Sequence, residues 1–167
     1  MTEKISKEEF LVESIKHAFK HDVISSTVFR SEVTHLVEKS CIRALAYYLL
    51  SEPELKFNYL VDVLGVDYNN ESPRFEVVYH FYSTVHKHRI RIKLRTNEGE
   101  DVQSIAMVYP SACWPERETF DMFGIVFDGN PDLRRIYLSE DWEGYPLRKD
   151  YPLRGYKDRY NPFGEER

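Results

Sequence analysis

Three carboxylates crowd the stretch ERETFDMFG, residues 116–124: Glu116, Glu118 and Asp121, with Arg117 among them. A carboxylate pair is the usual equipment of general acid–base chemistry, provided both groups reach one substrate. On a helix, however, Glu118 turns away from Glu116, which is poor geometry for shared proton transfer. His80, His86 and His88 cluster near a predicted hairpin, but no carboxylate or cysteine stands at a recognisable metal spacing, and a solvated loop explains them better. Cys41 and Cys113 form no paired ligand spacing and read as reduced thiols of a cytosolic protein, so iron–sulfur and structural zinc sites are not expected. There is no GxSxG, no phosphate loop and no dinucleotide fingerprint. The sequence offers no catalytic residue, no cofactor-binding residue and no metal ligand set of its own.

The elements that must position these groups can be read from periodicity. Ser6 and Glu9 form a capping-box pattern ahead of Leu11, Ile15, Ala18 and Phe19, which predicts a first amphipathic helix. TVFRSEV is then a strand. Val37, Cys41, Ala44, Leu45, Tyr48 and Leu49 recur at helical spacing and predict a second helix closed by Pro53, with Cys41 as a small core residue on its buried stripe. Three strand-like runs follow, FNYLVDVLGVDY, RFEVVYHFYS and RIRIKLRT. In the last, Ile90, Ile92 and Leu94 alternate with Arg89, Arg91, Lys93 and Arg95, as the two-residue period of a strand requires. The expected fold is α+β, a single structural domain with helices packed on one face of a mainly antiparallel sheet. It divides into an α+β region at 1–110, a motif helix and loop at 111–143, and an extended C-terminal arm at 144–167.

Composition narrows the function. With 28 acidic against 23 basic residues and a pI near 5.7, the 167-residue chain is a poor match for nucleic acid or an anionic membrane. The basic face of RIRIKLRT beside Phe75, Tyr79 and Phe81 nevertheless raises the alternative of an RNA-binding α+β module. Those aromatics share one face in period two, however, and that face is more economically the core. The start of the chain has no apolar run of signal-peptide type, and no window of about eighteen apolar residues occurs, so membrane contact is expected only through a partner.

The mixed stretch 113–124 separates charge from bulk poorly. At about 100° per residue, Cys113, Glu116, Phe120 and Phe123 share one side, Trp114, Arg117 and Asp121 the next, and Glu118 with Met122 a third, leaving no side clearly for water. Its charges must then be paired or hydrogen-bonded, because a buried unpaired charge costs several kcal/mol or more. Arg117 and Asp121, at i and i+4, can meet. Glu116 and Glu118 need partners from elsewhere, and Arg134, Arg135, Arg148 and Lys149 are available downstream. Bracing within the chain and use at an interface are both compatible with this pattern.

These same residues carry a resemblance. ERETFDMFGIVFDGNPDLRRIYLSEDWEGYPLRKDYP, with the upstream RFEVVYHFYS, is similar to the characteristic block of the thirty-kilodalton subunit family of respiratory NADH:quinone oxidoreductase, complex I. The family motif falls on Glu116, Arg117, Glu118, Asp121, Gly124, Pro131, Leu133, Arg134, Arg135, Gly144, Pro146, Leu147, Arg148, Lys149 and Asp150. Asn130 and Tyr145 stand where a histidine is frequent in relatives, and neither is expected to touch the charge network. The resemblance implies a non-catalytic member of the hydrophilic arm, peripheral on the cytoplasmic side of a bacterial membrane, packed against the large quinone-site subunit and needed for assembly. It implies that this chain holds no cofactor, while other subunits hold iron–sulfur clusters and quinone, with FMN a further candidate. The electron donor, NADH, ferredoxin or another, stays open.

The arm carries its own signal. Pro146, Pro152 and Pro162 forbid a continuous helix over 144–167, while Gly144, Gly155 and Gly164 punctuate it. Tyr151, Tyr156 and Tyr160 join arginines in a composition suited to wrapping a partner.

Overall fold

A computed structural model describes residues 6–157 and 161–166. Helix α1 spans Lys7–Ala18 and opens on the expected capping box: Glu9 N–H donates to Ser6 Oγ at 3.1 Å, and Ser6 N–H to the Glu9 carboxylate at 2.9 Å. Leu11 and Ile15 point from it into the core. The segment TVFRSEV is two strands and a turn, not one strand. β1 (Val23–Phe29) pairs antiparallel with β2 (Glu32–Val37), and Arg30 and Ser31 between them both take positive φ, 50° and 62°. Two central residues at positive φ are the hairpin turn whose twist suits its strands, although neither residue is the glycine or asparagine that usually marks it.

The second helix begins later than its periodicity suggests. Val37 ends β2, a single 3-10 turn covers Lys39–Cys41, and α2 runs Ile42–Ser51, with the chain extended again at Glu52, before Pro53. Ile42, Leu45, Ala46 and Leu49 form its buried stripe and Ala44 faces water. Cys41 is buried as expected. β3 (Tyr59–Asp67), β4 (Phe75–Ser83) and β5 (His88–Thr96) fall on the three predicted runs. Near the end of the domain come β6 (Val102–Gln103), α3 (Cys113–Phe123) and β7 (Phe127–Asp128), with β6 and β7 pairing as a small separate sheet.

The main sheet has the order β1-β2-β5-β4-β3, antiparallel except between β2 and β5. Register puts Val33, His35 and Val37 beside Ile90, Ile92 and Leu94, which in turn face Phe81, Tyr79 and Val77. This inner face is the core, and α1 and α2 contribute to it from above. Phe75, Tyr79 and Phe81 are therefore buried, on the side opposite the basic stripe. Three of that stripe's four cations are paired within the sheet: buried Glu76 takes Lys93 at 2.8 Å and Arg95 at 3.1 Å, and Arg91 reaches Glu32 at 2.8 Å, while Arg89 lies over the Tyr82 ring. Stacking aromatics and cations on opposite faces cannot serve one RNA strand.

Candidate functional site

Helix α3 lies along the outer side of β3. Thr119 Oγ1 donates to Val63 O at 3.1 Å, and the Phe123 ring occupies the space a side chain on Gly65 would need, its nearest carbon 2.6 Å from where a Cβ would stand. The helix stops at Gly124, whose φ of 76° is the left-handed C-cap that glycine supplies most readily.

Docked in this way, α3 buries three charged groups: Glu116 and Asp121 are fully covered and Arg117 is 7% exposed. Water is not excluded from every side, since Trp114 and Glu118 remain exposed along the opposite strip. Neither does Arg117 pair with Asp121. Arg117 Nε and Nη2 donate to the carbonyls of Arg134 and Arg135 at 3.0 and 3.3 Å, and Nη1 approaches Asp132 at 3.2 Å. Asp121 Oδ2 accepts from the N–H groups of Ile136, Tyr137 and Leu138 at 3.0, 2.8 and 3.1 Å, while Oδ1 takes Arg135 at 2.8 Å. Burial alone would raise the Asp121 pKa, but these three N–H groups and Arg135 outweigh it and hold the carboxyl below its ordinary range. Both side chains are thus spent on the loop 132–138, which has no helix or strand to satisfy its own backbone.

Glu116 finds no arginine partner. It accepts from Ser104 Oγ at 2.6 Å, Ile105 N at 2.8 Å and Asn130 Nδ2 at 2.8 Å. Burial pushes its pKa up, against the pull of these donors. Asn130 therefore belongs to the charge network, contrary to the expectation from sequence. Tyr145 does too, because the guanidinium groups of Arg135 and Arg148 stack on its ring at 5.2 and 4.4 Å.

A second cluster ties the motif's end to the sheet, and sequence reasoning did not find it. Asp67, at the end of β3 and 3% exposed, takes Arg74 Nε and Nη2 in a two-pronged pair, each at 2.9 Å, together with the N–H groups of Asn69 and Lys149 at 2.8 Å. The Arg74 guanidinium is the main cause of a pKa far below the usual carboxylate range. Arg74 also meets Asp150 at 2.8 Å, and Arg148 donates to Phe123 O at 2.6 Å and pairs with Glu98. Asp67 and Arg74 stand at the two ends of the β3–β4 connection, so the only available signal was a charge of each sign at facing strand ends.

The remaining predicted positions scatter. Arg134 pairs with Asp132 in solvent. Gly144, at φ 82°, lets the Tyr151 ring approach to 2.7 Å from a notional Cβ, and Tyr151 packs edge-on against Tyr156 with ring centres 5.3 Å apart. Pro146 is half-buried, and Tyr160 lies outside the described residues. Beyond Asp150 the chain turns back on itself, with Tyr156 bridging Glu165. His86 and His88 hold the carbonyls of Pro53 and Leu55 at 2.9 and 3.0 Å; His80 lies on the open face of β4. Among the described residues no group of three His, Cys, Asp or Glu could hold a metal ion. Burial pushes the Cys41 thiol up to about 12, the state of an inert core residue.

What the arrangement builds is a braced surface. Tyr59, Val61, Trp114, Glu118 and Tyr137 line a shallow groove between β3, α3 and the braced loop, and four of the five are large and at least 42% exposed. Among the described residues no helix is long and apolar enough to cross a membrane.

Residues 35–157 match the family model described as "Respiratory-chain NADH dehydrogenase, 30 Kd subunit". An NADH-quinone oxidoreductase subunit of Rhizobium meliloti (strain 1021) is 55% identical over 119 residues, 71% of this chain and 65% of that protein. The corresponding protein of Geotalea uraniireducens (strain Rf4), also an NADH-quinone oxidoreductase subunit, is 46% identical over 142 residues, 84% of this chain and 85% of that one. The chain thus spans a little under two thirds of the Rhizobium relative's length. Among solved structures, a chain from the membrane-bound sulfane sulfur reductase, an archaeal respiratory membrane complex, superposes with a TM-score of 0.76 at 25% identity, covering 89% of this chain and 87% of that one.

Proposed function

The chain belongs to the respiratory-chain NADH dehydrogenase 30 Kd subunit family, and we propose that it is a non-catalytic subunit in the hydrophilic arm of an ion-translocating NADH:quinone oxidoreductase. In this role it docks the large quinone-site subunit, on the cytoplasmic side of a bacterial membrane, and is itself needed for assembly. Flavin, iron–sulfur clusters and quinone belong to other subunits.

One observation carries the reading. Every buried charge of α3 is consumed by this chain's own backbone and side chains, Glu116 by Ser104, Ile105 and Asn130, Arg117 and Asp121 by the loop 132–138. A catalytic acid or base must have an atom free to meet substrate. A brace must not, and the exposed Tyr59, Trp114 and Tyr137 beside it have the aromatic character of protein-interface anchors.

The test is assembly against turnover. Arg117→Ala or Glu116→Ala should lower quinone reductase activity in proportion to the amount of assembled complex, since the first removes the buried member of an ion pair at a cost of about 3–5 kcal/mol and the second leaves the neutral donors of Ser104, Ile105 and Asn130 unmatched at about 1–3 kcal/mol. Normal complex abundance with turnover abolished would make these residues catalytic and sink the proposal. Absorption spectra and elemental analysis of the purified chain should show neither flavin nor stoichiometric metal. The arm can be tested by truncation, but the cut belongs after Asp150: removing 146–150 would also take the Lys149 N–H from Asp67 and the Asp150 carboxylate from Arg74. Truncation after Asp150 should weaken capture of the quinone-site subunit about tenfold, or 1.4 kcal/mol.

A further inference from the structure

The sheet has two ends, and the one formed by β1 is open. Among the described residues only β2 pairs with it. Phe29 and Glu32 flank the two-residue turn, so Phe29, Thr27 and Ser25 direct their N–H and C=O groups at β2. Ser26 and Val28 then turn theirs outward, away from the sheet. Edge strands are commonly blunted by lysine, proline or a covering element. VISSTVF has no charge and no proline, and Ile24, Val28 and Phe29 are 56%, 51% and 72% exposed. Its irregularity, a register shift between Val23 and Ser25, lies at the far end and leaves Ser26–Phe29 regular.

Beside this edge the end of α1 and the turn after it supply charge. Lys16 and Lys20 line a groove of about 330 Å³ with Val23, Ile24, Ser25 and Ser26, and no acidic residue lines it. Among the described residues neither lysine is paired with a carboxylate.

We propose that β1 receives one further strand: an extended segment of another subunit of the oxidoreductase, bearing apolar residues against Ile24 and Val28 and acidic residues against Lys16 and Lys20. The inference rests on the chain being a docked subunit, and adds where and by what chemistry one partner is held. Backbone pairing supplies the affinity of such strand addition, and side chains its selectivity. A second copy of this chain fits worse. Antiparallel pairing of two β1 strands would set Lys16 and Lys20 of one copy near Arg30 of the other, like charge against like.

Residue-resolved hydrogen–deuterium exchange on the free chain and on the co-purified complex tests this. The amides of Ser26 and Val28 should slow by at least about tenfold on assembly, equivalent to 1.4 kcal/mol, while Thr27, already bonded to β2, is slow in both. Val28→Pro deletes an outward N–H and replaces a half-exposed side chain; it should leave the melting temperature of the free chain nearly unchanged and weaken its capture into the complex by about tenfold or more. Should that variant fail to fold, Lys16→Glu with Lys20→Glu must give the same loss of capture. Co-purification with Ser26 and Val28 exchanging as fast as in the free chain would overturn the strand while leaving the docking role intact. Slow exchange in the free chain with a dimeric mass in sedimentation would assign the edge to a second copy and overturn it. Failure to co-purify with oxidoreductase subunits would remove the docking role, and this inference with it.

Discussion

The two edges of the main sheet meet the same physical problem in opposite ways. At β3, Thr119 caps the Val63 carbonyl, the Phe123 ring fills the space left by Gly65, and buried Asp121 and Arg117 lock the following loop against the helix. At β1 a chargeless strand shows its backbone and three large apolar side chains to solvent, beside two lysines with no carboxylate in their groove. The contrast teaches that charge within this fold can do two kinds of work. Where it is buried it is matched by several donors or acceptors and sets shape; at Lys16 and Lys20, exposed beside β1, it costs little and stays available for a partner.

The sealed edge should be the vulnerable one. Asp121→Ala leaves three N–H groups and Arg135 without their acceptor, and is expected to destabilise the chain by about 3–5 kcal/mol, lowering the melting temperature by roughly 10 °C. Lys20→Ala at the open edge should change it by less than about 0.5 kcal/mol. Equal losses in calorimetry would erase the distinction between the edges.

Next in size is a pH effect centred near the open edge. His35 of β2 is fully buried, 2.8 Å from Ser26 of β1, and burial, helped by Lys16, lowers its pKa to about 4. The unfolded chain takes up this proton near pH 6.5 and the folded chain resists until about 4, so stability falls as pH drops through that window, by about 3 kcal/mol. Asp121, with its lowered pKa, keeps its full contribution above the ordinary carboxylate range and loses it only on further acidification. Glu116, raised by burial, works in the reverse sense and is relieved as acid is added. Urea titrations at pH 7 and pH 5 should show the fall, and His35→Gln should shrink it. His80 and His88, also lowered by burial, retain the remainder. An undiminished fall in the variant would clear His35 of the effect.

Smaller still, Gly65→Ala pushes a methyl group into the Phe123 ring and should cost about 1–3 kcal/mol as the helix shifts off β3. Glu118→Ala, on the exposed strip of the same helix, should stay within about 0.5 kcal/mol. Chemical denaturation of the pair measures how sharply α3 divides into a bracing face and an outward one, and a Glu118 loss as large as that of Gly65 would mean it does not.

Much of this was legible beforehand for local reasons. The capping box of Ser6 and Glu9 needs only neighbours three residues apart, and the alternation of RIRIKLRT needs only a strand with one buried face. The β1 hairpin was not legible, because Arg30 and Ser31 carry no turn signature and their positive φ is sustained by the pairing on either side. Val37 misled for a related reason. It fits a helical stripe and a strand equally well, and its pairing with Leu94, far along the chain, decided for the strand.

The sequence by itself determined α1, the runs of β3, β4 and β5, the family and the fact that α3 must satisfy its charges, since periodicity, motif and desolvation cost are properties of the chain. Only the tertiary structure decided with whom. Arg117 and Asp121 are close enough along one helix to pair, yet a buried carboxylate is better served by three N–H groups and a guanidinium held in place than by one flexible neighbour. The order of the strands likewise decided which edge α3 would seal and which would stay open, because sheet order follows from contacts between segments far apart in sequence.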